Sequence, residues 1–425
     1  GIALVVAPRG VAARRLSSAI KENPRLAPRF RFTSAERIHR FVLRHGETAL
    51  ATRAVASLQR RWPTLSAAPP RWRMNLPCLA AVVLPTLAAF ALEPANTAFI
   101  FEVTLAAFFL AWLGLRLTAA FVECPAGNAS PRLSDNELPV YTVIAALYRE
   151  AASVDGLLRA IEQLNYPLEK LDIIIVVEAD DAETRTALSA RATRMPITVI
   201  PVPALGPRTK PKALNVALPF ARGTFTVIYD AEDRPEPDQL HLALQAFRSG
   251  GNDLACVQAR LCIDNSADSW LAQLFTAEYA GQFDVFLPGL ATLHLPVPLG
   301  GSSNHFDTAI LRETGGWDSY NVTEDADLGM RLARFGYRTG VIGSTTYEEA
   351  PARLGPWLRQ RTRWFKGWMQ TWLVHMRQPT KLWRDLGLSG FFTFQLIVGG
   401  NVLAALVHPL FMAGVIYTAA RGAPP

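Results

Sequence analysis

From residue 140 onward the chain alternates two hydrophobic periods. Residues 140–146, 171–177, 197–202 and 225–229 are short runs in which nearly every position is apolar, as in strands covered on both faces. Between them, 153–164, 182–192 and 211–221 carry apolar residues at helical spacing. The alternation predicts an α/β fold with a doubly wound, mostly parallel sheet over residues 130–350. In open sheets of this kind ligands sit beyond the carboxyl ends of strands. Two of those ends are acidic: Glu178, Asp180 and Asp181 follow one strand, and Asp230, Glu232 and Asp233 follow another.

Three longer apolar runs have no such punctuation. Residues 76–92 are nearly all apolar, enough to cross about 30 Å of hydrocarbon. Residues 97–122 follow a short break, Glu93-Pro94-Ala95-Asn96, and hold Glu102 near one end and Arg116 near the other. The third run, 388–420, contains Pro409. Two transmembrane helices over 76–122 and a third over 388–420 are therefore expected. Arg60, Arg61, Arg71 and Arg73 precede the first run, and the loop at Glu93 carries no cation. The positive-inside rule then puts the N-terminus and residues 123–387 in the cytoplasm. The start at Gly1 and the end at Pro425 predict a piece of a longer protein, with further spans.

Composition agrees with a membrane setting. Of 425 residues 50% are hydrophobic and 19% charged, and the mean hydropathy is +0.14, which excludes a disordered or collagen-like chain. The net charge is +7. Residues 1–70 read as a small basic module, a strand at 2–7 and helices at 12–21 and 34–44. It suits docking, regulation or a basic cap over anionic lipid. Residues 351–387 place Trp357, Trp364, Trp368, Trp372 and Trp383 among Arg and Lys, as an amphipathic interfacial segment does. Four cysteines show no CxxC spacing, so neither a zinc site nor a disulfide framework is expected.

Three short patterns carry chemistry. Asp230-Ala231-Glu232, with Asp233 following, offers oxygen ligands past a strand end, suited to a divalent cation that also holds a diphosphate. Thr323-Glu324-Asp325 can open a helix, Thr323 as N-cap, and can present a carboxylate to a substrate hydroxyl. Gln360-Arg-Thr-Arg363-Trp364 combines a guanidinium for a departing phosphate with a flat indole for a sugar ring.

The two acidic loops, the TED triplet and the QxxRW pattern follow one another about 50, 95 and 35 residues apart, with apolar runs on both sides. This ordered set resembles the processive, membrane-embedded family 2 glycosyltransferases, such as cellulose, curdlan and hyaluronan synthases, over roughly residues 75–420. The resemblance implies a cytoplasmic catalytic domain of GT-A type in the bacterial inner (plasma) membrane. It implies a hexosyltransferase that polymerises sugar from a UDP-sugar, UDP-glucose foremost, into a β-linked polysaccharide with inversion. Mg²⁺ or Mn²⁺ would be held at Asp230 and Glu232, with Asp233 as a substitute for the latter. Glu178 or Asp180 would contact the nucleotide base, Lys212, Asp230 and Arg363 the rest of the nucleotide, and Asp325 would be the catalytic base. Thr323, Glu324, Gln360 and Trp364 would meet the acceptor. Residues 299–306 would form a loop near the acceptor's end, and Asn215 would join Lys212 near the donor. The implied partners are the donor, the growing glycan, the bilayer and an accessory export protein, with no nucleic acid. Single transfer to a lipid acceptor is the alternative activity, and an inactive membrane scaffold the alternative class. Arg334 to Arg338 and Arg359 to Arg363 match the spacing of an RxxxR cyclic di-GMP motif but lack its companion.

Overall fold

The computed structural model describes residues 3–8, 10–69, 76–123 and 132–421. Arg71, Arg73 and Cys124 lie outside them, so the part of the topology argument that rests on those arginines does too. In the N-terminal region β1 (Leu4–Val6) pairs in parallel with β2 (Phe30–Phe32). Helices α1 (Gly10–Glu22), α2 (Ala35–His45) and α3 (Glu47–Arg61) accompany them. The Ser34 hydroxyl caps α2 by accepting from the Arg37 backbone N–H at 3.2 Å. Two apolar helices follow, α4 (Leu76–Leu92) and α5 (Pro94–Phe121), packed on each other.

Four parallel strands form one half of the main sheet: β3 (Tyr141–Leu147), β4 (Leu171–Glu178), β5 (Ile197–Val202) and β6 (Phe225–Tyr229). Every residue of β4 is buried, which is why the sequence shows no alternation there. Helices α6 (Val154–Glu162), α7 (Ala182–Ala190) and α8 (Lys210–Ala217) make the crossovers. The other half is mixed: β7 (Arg234–Pro235), β8 (Leu254–Ile263), β9 (Asn304–Asp307) and β10 (Arg338–Glu348). The sheet order is β5-β4-β3-β6-β9-β8-β10-β7, with β9 antiparallel to both neighbours and β7 antiparallel to β10. The expectation of a mostly parallel sheet therefore needs correcting to a mixed one. The last three residues of the stretch 299–306, expected as an acceptor loop, belong to β9 at the centre of the sheet. Four residues are too few for a periodic signal.

Helices α9 (Gln239–Ser249), α10 (Trp270–Tyr279), α11 (Leu287–Thr292), α12 (Thr308–Glu313) and α13 (Glu324–Arg334) complete this layer. The chain then runs through α14 (Leu354–His375), α15 (Pro379–Phe394) and α16 (Gly400–Ala420), with a bend at Gly387, whose φ is 68°. Among the described residues two helical stretches are long and apolar enough to cross a membrane, Pro94–Phe121 and Pro379–Ala420. The first of the three expected spans, α4, is helical but has only 17 residues.

The N-terminal region is stitched to the sheet domain. The Ala54 carbonyl accepts from Asn215 Nδ2 (3.0 Å) and Ser319 Oγ (2.9 Å). Asp318 accepts from Ser66 Oγ (3.1 Å) and from the Ala67 backbone N–H (2.5 Å). Asn215 also bridges both polar atoms of the Trp317 backbone, so it holds structure together and does not face a donor.

Behind α13 lies a buried polar cluster. Arg331, fully buried, donates to the carbonyls of Thr314 (2.9 Å) and Gly316 (2.8 Å) and to Asp327 (3.3 Å), which His375 also reaches. Removing one partner of such a pair strands the other. Arg331→Met is expected to lower stability by about 3–5 kcal/mol, read as a fall in thermal midpoint of the detergent-solubilised protein.

Candidate active site

A cleft of about 1320 Å³ opens beyond the carboxyl ends of β6 and β10. Asp230 and Glu232 line it from the loop after β6, and Thr323, Glu324 and Asp325 from the start of α13. Gln360, Arg363 and Trp364 line it from α14. Residues up to about 130 apart in the chain thus share one cavity. The N-terminal end of α13 places amide dipoles behind Asp325, whose Oδ1 accepts from the Ala326 N–H at 2.7 Å. Thr323 occupies the cap position, but its hydroxyl makes no capping bond and turns to Thr371 at 3.5 Å.

Asp325 is joined to the metal-type loop through Lys210. Lys210 Nζ forms an ion pair with Asp230 and donates to the Gly301 carbonyl at 2.7 Å. A Cβ on Gly301 would stand 3.4 Å from Asp325 Oδ2. Burial and the neighbouring Asp325 carboxylate push Glu324 up to about 8, and burial pushes Asp325 up to about 6. Burial opposes the charge on Lys210, but Asp230 and Glu324 hold its pKa above the usual value.

The sequence singled out Lys212 where the structure uses Lys210. The two stand two residues apart on a helix, about 200° around its axis, so they face opposite ways. Lys212 is fully buried, 3.4 Å from Glu178, and donates to the Pro203 carbonyl at 2.9 Å. The expectation that it touches the nucleotide is corrected accordingly. Glu178 is buried with it, and burial raises its pKa. Asp180 is the accessible acid at the end of β4; its side chain is 46% exposed and pairs with Arg208 at 3.0 Å. Neither Glu178 nor Asp180 lines the cleft itself.

On α14 the helical repeat sends Gln360, Arg363 and Trp364 to the cleft. Gln360 Oε1 is buried and, among the described residues, has no hydrogen-bond partner. Arg361, which the sequence pattern passed over, lies over the rings of Phe275 (4.7 Å), Trp357 (5.4 Å) and Trp364 (4.7 Å) and forms a two-pronged ion pair with Glu278. It fixes the indole that the sequence assigned to an acceptor sugar. Gly367 lets α14 press onto the TED loop: a Cβ there would meet the Thr323 side chain at 2.4–2.8 Å. Gln370 accepts from the Val322 N–H (3.2 Å) and Thr371 from Asn321 Nδ2 (2.9 Å).

A divalent cation, implied by the resemblance, can be tested on this donor set. Asp230 and Glu232 face the cleft, Asp233 is buried beneath them, and Glu348 approaches from the end of β10. Asp233 Oδ2 accepts from the Asp230 N–H at 2.7 Å, so it shapes the loop and does not replace Glu232. Burial first, then mutual repulsion, raises Glu232, Asp233 (to about 7) and Glu348. Among the described residues no three donors stand ready as a metal cage. Two accessible carboxylates in a crowded acidic pocket fit a hard cation whose other positions go to water and phosphate.

The sequence matches the family descriptions Glycosyl transferase family 2 over residues 142–302 and Glycosyl transferase family group 2 over 225–420. The chain belongs to the family 2 glycosyltransferases and carries their GT-A-type fold. It is 24% identical over 68% of its length to the protein named "Probable glycosyltransferase YdaM" of Bacillus subtilis, and spans 70% of that protein. It is 25% identical over 65% of its length to a β-monoglucosyldiacylglycerol synthase of Synechocystis, and spans 57% of that protein. The fold is similar to that of the mannosyltransferase PcManGT from Pyrobaculum calidifontis, solved with GDP-Man and Mn²⁺. The TM-score is 0.51 and the identity 20%, over 74% of this chain and 91% of that one.

Proposed function

We propose that the protein transfers a sugar, with inversion, from a nucleoside diphosphate sugar to the hydroxyl of an acceptor that reaches the cleft from a membrane. The observation that carries this is the convergence of Asp230, Lys210 and Asp325 at Gly301, in a cleft whose far wall is built from α5, α14 and the turn before α16. Asp325 takes the acceptor proton. The acceptor oxygen attacks the anomeric carbon from the face opposite the diphosphate, and the bond from that carbon to the diphosphate breaks. Lys210 and Arg363 offset the negative charge that gathers on the leaving group. Asp230 and Glu232 would hold a divalent cation, which when bound supplies further charge neutralisation. Asp180 is the acid open to the nucleotide base.

α5 and Pro379–Ala420 have the dimensions of membrane spans, which supports a catalytic domain seated on a bilayer. The apolar side chains on the far wall, Phe283, Phe286, Trp368 and Ile397 among them, favour an amphiphilic acceptor and single transfer. Chain elongation into a β-glycan, the activity that the resemblance of the ordered motif set implies, uses the same chemistry and differs in product length. The test is purified protein in phosphatidylcholine vesicles that also carry diacylglycerol and phosphatidylglycerol as sources of a free lipid hydroxyl, with Mn²⁺ or Mg²⁺ and a panel of labelled UDP- and GDP-sugars. One donor should be consumed and its label should enter a β-linked product that migrates as a glycolipid. Label retained as a long polymer would favour elongation, and no turnover of any donor would refute the proposal.

A further inference from the structure

Arg116 sits near the C-terminal end of the apolar helix α5, where a lone arginine ordinarily reaches out to lipid headgroups. In this structure it reaches inward and lines the catalytic cleft. Its guanidinium is held between the rings of Trp112 (4.3 Å) and Phe286 (4.8 Å). Its Nε is buried with no hydrogen-bond partner, and among the described residues the side chain makes no hydrogen bond or ion pair. The carboxylate whose field it feels is Glu278, which Arg361 already engages through both oxygens. α5 is fixed here by close packing: a Cβ on Gly289 would lie 2.1 Å from the Ala119 carbonyl oxygen, one turn beyond Arg116. With both rings against the guanidinium carbon, its N–H groups are the polar part of the side chain that can recognise a ligand. An unpaired cation in a partly apolar wall is costly unless an anion completes it.

We infer that Arg116 recognises the acceptor, by binding a phosphate group carried on a membrane lipid whose free hydroxyl is glycosylated. This rests on the glycosyl-transfer reading above and adds the chemical class of its acceptor. The donor's diphosphate is an inferior candidate for this position, because Lys210, paired with Asp230, already supplies a cation at the acidic loop. The Arg116 side is bounded by Phe283, Phe286, Leu287, Trp368 and Ile397, which suit acyl chains. The lipid hydroxyl oxygen bonds to the anomeric carbon, its proton passes to Asp325, and the nucleoside diphosphate leaves. The phosphate is a handle and takes no part in bond making.

The experiment uses the full chain in phosphatidylcholine vesicles doped with phosphatidylglycerol, which has a phosphate and free hydroxyls, or with diacylglycerol, which has a hydroxyl only. Soluble glycerol phosphate forms a third arm. Donor hydrolysis to water is followed alongside. Label should enter phosphatidylglycerol in preference to diacylglycerol. Arg116→Gln should raise the KM for that lipid about tenfold or more, as loss of a charged hydrogen bond predicts, and leave donor hydrolysis within about twofold. Arg116→Lys should recover part of the loss, which also controls for misfolding. Transfer to glycerol phosphate that is equally sensitive to Arg116→Gln would keep the phosphate site and assign it to a soluble acceptor, overturning the lipid part. Equal use of diacylglycerol, or equal loss of hydrolysis and transfer in Arg116→Gln, would overturn the inference. Donor hydrolysis with no label entering a lipid in any arm would do so as well, whereas absence of donor turnover in every arm would remove the glycosyl-transfer reading too.

Discussion

Asp325→Asn is expected to cut sugar transfer by about 10²–10⁴-fold while nucleotide binding survives, the size of effect general-base removal produces. The amide keeps the size of the carboxylate and can still accept from the Ala326 N–H, so the loop should hold its shape. What is lost is the ability to take a proton. Glu324 does not substitute for it in this argument: burial and the neighbouring Asp325 carboxylate push it up to about 8, so near neutral pH it is mostly protonated. The measurement is turnover of labelled donor beside nucleotide affinity by calorimetry. Near-normal turnover in the variant would place the base on another residue.

Gly367→Ala, one methyl group on a helix, is expected to cost about 10²-fold in transfer, the order that follows from misplacing catalytic groups by about 1 Å. The new Cβ would overlap Thr323 Cγ2, Oγ1 and Cβ. Thr is branched at Cβ and anchored to the backbone, so it cannot swing aside. Either α14 lifts, carrying Gln360, Arg363 and Trp364 away, or the TED loop shifts. Overpacking of this kind also costs about 1–3 kcal/mol of stability. Gly355→Ala on the same helix is the control, since a Cβ there would meet only the Arg359 side chain at 3.7 Å. Comparable turnover in the two variants would show that the contact between helix and loop is not needed for transfer.

Much of this site could be read from sequence because its residues sit at element ends. A buried strand leaves an unbroken apolar run, so the ends of β4 and β6 were marked, and with them the acids that follow. Thr323-Glu324-Asp325 announced a helix start because capping residues and acids collect there. Other features depend on facing and on distant pairing. Lys210 and Lys212 look alike until the helix is built and turns them opposite ways. Glu278 has no neighbour in the chain that marks it, and it gains meaning only when α14 brings Arg361 beside it. Arg116 looked like a charge near the end of a span, because nothing around residue 116 reveals Phe286 across from it. β9 was too short to register, although it pairs with β6 and β8 at the middle of the sheet.

The seam between the N-terminal region and the sheet domain constrains how the polypeptide is made. Ser66 and Ala67 leave the ribosome 252 and 251 residues before Asp318, their partner. At synthesis rates of about 5–20 residues per second, that gap lasts roughly 10–50 s. Until the sheet domain has folded against them, Ala51, Ala54 and Leu58 of α3, all buried in the finished protein, are uncovered. The apolar helices are translated within the same interval. A nascent chain in this state presents exposed hydrophobic groups amid a run of arginines, the profile of a chaperone client. Ribosome-bound intermediates stalled near residue 300 should therefore be protease-sensitive in the first 69 residues, and those stalled with residue 321 already clear of the exit tunnel should not.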